Sequence, residues 1–79
     1  MKLTFKEMCV VIAEDWNKDA LKSKQLTHED IWKLDLVQEF PALYLPILYD
    51  AAKDGNLIGL IFTDNTCAGM FVRYLNERV

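Results

Sequence analysis

The sequence predicts a mainly all-α fold, a small bundle of four to five short helices forming a single domain over residues 1–79. Three observations carry that expectation. Two segments open with helix-capping pairs, Thr4 with Glu7 and Thr27 with Asp30. Apolar residues recur at helical spacing behind each pair. A third segment runs from Pro46 to Gly55, the residue types suited to a helix's first turn and to its left-handed end.

In the first helix, residues 5–17, the Thr4 hydroxyl is placed to accept from a first-turn amide while Glu7 reaches back to the amide of Thr4. Leu3 and Met8 occupy the positions of a hydrophobic staple. Phe5, Met8, Cys9, Ile12 and Trp16 then share one face, with Lys6, Glu14 and Lys18 opposite. Lys18, Lys22 and Lys24 read as a solvated linker.

The second helix starts at Thr27, where His28, Glu29 and Asp30 fill the first turn and the carboxylates suit the positive end of the helix dipole. Ile31, Leu34 and Val37, with Trp32, Leu36 and Phe40, supply its apolar surface. Pro41 disfavours helical geometry in the residue before it, so this helix is expected to end near Glu39 or Phe40. Residues 40–49, FPALYLPILY, hold two prolines five apart, a pair not expected inside one helix. Pro41 is therefore read as opening a turn and Pro46 as starting the third helix, which ends near Asp54 with Gly55 as its cap. Residues 57–62, LIGLIF, are apolar throughout and read as a short buried helix or an extended connector. A last helix follows Thr63 or Asp64, with Cys67, Met70, Phe71, Tyr74 and Leu75 on its stripe.

Composition excludes more than it identifies. The formal charge of −3 comes with no concentrated basic patch, which counts against nucleic-acid binding. No apolar stretch approaches the about 18 residues that a bilayer span requires. The apolar run at residues 8–13 is short for a signal-peptide core and meets Glu14 and Asp15 at once, so a cytoplasmic location is expected. Cys9 and Cys67 lack CxxC spacing and fall on apolar stripes, where free cysteine behaves as a small hydrophobe.

No constellation for catalysis, metal or cofactor binding stands out. His28 is the sole histidine, and its neighbours Glu29 and Asp30 point about 100° apart on a helix, a poor geometry for one ion. A cysteine with His28 is the one imaginable nucleophile–base pair, and no third group orients it. The acidic residues all read as exposed. Gly55, Gly59 and Gly69 form no phosphate-binding loop. An enzyme is not expected.

Protein–protein recognition remains. Of 79 residues, 52% are hydrophobic and 11% aromatic. A chain this short buries only about 60% of its unfolded surface, so some large apolar groups are expected outside the core. Interface centres favour aromatic anchors among residues that exclude water. The candidate partner-binding residues are Phe40, Tyr44, Tyr49 and Trp32. The competing reading is that residues 40–49 roof the core, with Leu43, Leu45 and Leu48 the better core candidates and Tyr44 and Tyr49 the better interface candidates. The functional expectation is a small acidic protein-binding module, an accessory or regulatory protein acting as a homodimer or as a modulator or inhibitor of a larger target. The alternative is a dimeric DNA-binding transcriptional regulator using the last helix and Lys18, Lys22 and Lys24.

Overall fold

The first capping box forms as the sequence predicts: Glu7 N–H donates to Thr4 Oγ1 at 3.1 Å, and the Glu7 carboxylate accepts from the Thr4 amide at 3.4 Å and its hydroxyl at 3.0 Å. It starts α1, Phe5–Asp19. The computed structural model describes residues 3–59. After α1 the backbone turns extended at Ala20, whose N–H donates to Trp16 O at 3.2 Å.

The lysine-bearing stretch is not a loose linker. It contains a 3-10 turn, Lys22–Lys24, tied down from α1 at its C-terminal end and just beyond it. Trp16 Nε1 donates to Lys24 O at 3.2 Å. The Asn17 side chain donates to Leu26 O and accepts from Leu26 N–H, each at 2.8 Å. A primary amide matches a backbone unit as donor and acceptor together, so one side chain sets the path into the next element.

There the second box, Thr27 with Asp30, opens α2, His28–Trp32. The single helix expected here is divided: α3, Asp35–Glu39, follows after a break at Lys33 and Leu34. Leu34 N–H donates to Ile31 O at 3.3 Å, a tighter i→i+3 bond. The reason is burial. Ile31 and Val37 are both 0% exposed, yet on one continuous helix they would point about 120° apart. Breaking the helix turns both toward the core.

Loss of either cap, Thr4→Ala or Thr27→Ala, is expected to cost about 0.5–2 kcal/mol by urea denaturation. Backbone hydrogen bonding at Thr27 holds the Asp30 carboxyl below its ordinary range. A depressed folded-state value means that this contribution is present above the ordinary carboxylate range. It is lost as pH falls through the lowered value. A Thr27→Ala variant as stable as the parent at neutral pH would remove the box from the account.

The final described helix corrects the reading of residues 40–49. α4 is one helix, Pro41–Lys53, with Pro46 inside it. Pro41 sits in the first turn, where a missing N–H costs nothing. Pro46 removes the bond to Ala42 O, a defect of about 3 kcal/mol or more. Against this, the unbroken helix buries Tyr44, Leu45, Leu48 and Ala52, and a fully buried large side chain contributes about 1.5–3 kcal/mol. Packing wins. Ala42 is exposed, which leaves its surroundings open to solvent. At the far end Gly55 adopts φ 72°; its N–H donates to Ala52 O and that of Asn56 to Ala51 O, both at 2.9 Å. This is the Schellman arrangement, and Gly55 takes the left-handed place the sequence assigns it.

The core joins Cys9, Ile12, Ala13 and Trp16 of α1 to Ile31, Val37, the four buried α4 residues, and Leu57. α1 packs chiefly on α4 and then on α2. No strand occurs among the described residues, and the fold is all-α. Of residues 57–62, Leu57 is buried and Ile58 and Gly59 form a 3-10 turn rather than an extended connector. Residues 60–62, the expected last helix and Cys67 lie outside the described residues.

Four surface assignments change. Phe5, expected in the core stripe, is 41% exposed. Leu43, expected in the core, is exposed, while Tyr44, expected at an interface, is buried. Asp15, read as exposed with the other carboxylates, is buried. Its Oδ2 accepts from Leu57 N–H at 2.9 Å, tying the segment after α4 to α1.

Candidate functional site

α4 is apolar on two faces. Tyr44, Leu45, Leu48 and Ala52 turn inward, whereas Phe40 (47%), Leu43 (53%) and Ile47 (42%) remain exposed. Leu43, Ile47, Asp50 and Asp54 recur at i, i+4, i+7 and i+11, which confines them to about 60° of the helix circumference. Phe40, at the N-cap, heads this stripe, its ring centroid 6.3 Å from that of Tyr44 and tilted by 58°. Asp50 and Asp54 at the other end are exposed. Immediately before Phe40, Asp35, Gln38 and Glu39 of α3 line a shallow, open hollow. The stripe is thus an apolar centre between acidic ends.

Of the residues the sequence proposes for partner binding, the structure keeps Phe40 at the surface, half-buries Trp32 and Tyr49, and places Tyr44 in the core. Tyr49 lies under Lys53, with Nζ 5.7 Å from the ring centroid. Trp32 belongs to a different surface. Its ring stacks on Phe5 at 5.8 Å and 21°, and the pair lines a 420 Å³ cleft with Lys6, Cys9, His28 and Glu29 between α1 and α2. Cys9 and His28 share this cleft. No hydrogen bond joins them among the described residues, and burial pushes the Cys9 thiol up from its ordinary value. A protonated thiol without a base is a poor nucleophile. Cys9 is 1% exposed. It is expected to react with a thiol reagent only on unfolding; fast labelling of the native chain would give the cleft a chemical role. No cluster of His, Cys, Asp and Glu able to hold a metal occurs among the described residues, and no helix there is long and apolar enough to cross a membrane.

The chain matches no protein-family model, no curated protein and no solved structure. Function must be argued from its own surfaces.

The sequence reading missed Leu43 and Ile47 because it started the helix at Pro46. The signal was present. Placed on one helix from Pro41, residues 41–49 are apolar all round, and such a helix either lies wholly inside a protein or awaits cover on its second face. In 79 residues there is no core large enough to enclose it.

Proposed function

We propose that this chain is a small acidic protein-binding module that docks on a larger protein through the outer face of α4 and alters that protein's activity by covering part of it. One observation carries the reading: Phe40, Leu43 and Ile47 expose 42–53% of their surface on a single stripe. Single exposed apolar residues are ordinary, but a contiguous apolar patch with a polar rim is characteristic of an interface. The supporting helix is already formed, closed by a Schellman cap and packed on α1, so little ordering entropy is lost on binding. Self-association through the same face is the competing occupancy, and sedimentation of the purified chain distinguishes it.

The test uses Leu43→Lys and Ile47→Lys. Both positions face solvent, so both variants should keep the parent's circular dichroism spectrum and melt within a few degrees of it. Association with the target, recovered from the native host and titrated against the purified chain, should weaken about 30-fold or more, the size of an interface hot spot of about 2 kcal/mol. Variants that fold normally and bind as tightly as the parent would dispose of α4 as the docking face.

A further inference from the structure

We infer that the occupant of the α4 stripe is a basic amphipathic helix of the partner, an apolar face flanked at both ends by lysine or arginine; this rests on the docking function proposed above. Charge complementarity decides between occupants. The exposed apolar centre, Phe40, Leu43 and Ile47, is preceded in the chain by the exposed Asp35 and Glu39 of α3 and followed along α4 by the exposed Asp50 and Asp54. Among the described residues none of these four carboxylates has an ion-pair partner; the ion pair present there joins Lys18 to Asp15. Lys53, the nearest cation in sequence to Asp50 and Asp54, sits over the Tyr49 ring.

A second copy fits this pattern badly. Packed antiparallel, the two stripes would set Asp50 and Asp54 against Asp35 and Glu39; packed parallel, each carboxylate pair would meet itself. Like charges face each other either way, and such pairing selects against a partner. A helix with cations at both ends satisfies all four carboxylates while its apolar middle covers Leu43 and Ile47. Phe40 to Asp54 spans about 21 Å at 1.5 Å per residue, so a partner helix of about 16 residues, about 24 Å long, covers the stripe.

The experiment titrates the full chain into fluorescein-labelled synthetic peptides of about 16 residues, read by anisotropy at near-physiological salt. One peptide carries leucines at i, i+3, i+4 and i+7 with lysines at both ends. A second keeps the leucines and replaces every lysine with glutamate. The lysine peptide should bind, the glutamate peptide should bind at least about tenfold more weakly, and raising the salt should narrow the difference. The double variant Asp50→Lys, Asp54→Lys should lose the preference, and Leu43→Lys should lose binding of the lysine peptide while remaining folded. Equal binding of both peptides overturns the inference. So does lysine-peptide binding that survives Leu43→Lys, because charge alone would then explain it. Failure of the lysine peptide to bind the full chain also overturns it. These failures differ from failure of the docking function itself, in which Leu43→Lys and Ile47→Lys leave target association intact.

Discussion

Leu45→Ala is expected to cost about 2–5 kcal/mol, the range for truncating a buried leucine and leaving a cavity. Leu43→Ala, two residues away on the same helix, should stay within about 0.5 kcal/mol of the parent. Leu45 is 0% exposed and Leu43 is 53% exposed. The contrast matters because residues 41–49 present leucine, tyrosine or isoleucine at six of nine positions, and composition alone does not rank them. What ranks them is the helix phase set by starting α4 at Pro41. A domain of this size has only about 5–15 kcal/mol of stability to lose, and a value near the lower bound is usual for small chains. Leu45→Ala therefore removes a large fraction of it, and at physiological temperature part of the population should be unfolded. Urea denaturation followed by circular dichroism measures both variants. Equal costs at the two positions would mean that α4 does not have the phase described.

That phase also marks where local reading stops. Both capping boxes and the Gly55 cap were legible, because each is closed by hydrogen bonds between residues three to five apart, as in Thr4 with Glu7 and Asn56 with Ala51. The break after Lys33 was not, since no glycine or proline announces it. It follows from the joint burial of Ile31 and Val37 against residues of other helices. The passage of α4 through Pro46 was hidden for the same reason: a local penalty of about 3 kcal/mol is outweighed by side-chain burial that exists only in the assembled core. The candidate site inherited this error. Phe40 was legible as exposed, but the phase that brings it into line with Leu43, Ile47, Asp50 and Asp54 exists only if the helix begins at Pro41.

Asp15→Ala is expected to destabilise the chain by about 1.5–3 kcal/mol, the cost of stranding a buried donor whose acceptor was charged. The donor is the amide of Leu57, a residue 1% exposed that follows the Schellman turn. Asp15 lies on α1 between Ile12 and Trp16, on the buried side of the helix, where a carboxylate persists only with a partner. Its other neighbour, Lys18, lies 3.7 Å away with a side chain 70% exposed; solvent screens such a pair, so Lys18→Ala should cost about 0.5 kcal/mol or less. Asp15→Asn keeps one oxygen toward the Leu57 amide and should fall between these values. The hydrogen bond, not the ion pair, is what holds the segment after α4 against α1. Amide hydrogen exchange resolves this directly. In the parent the Leu57 amide should be protected, and in Lys18→Ala it should remain so. In Asp15→Ala it should exchange faster, with α2 unaffected. If Asp15→Ala and Lys18→Ala prove equally mild and the Leu57 amide stays protected in both, Asp15 is not the tie between α1 and the end of α4.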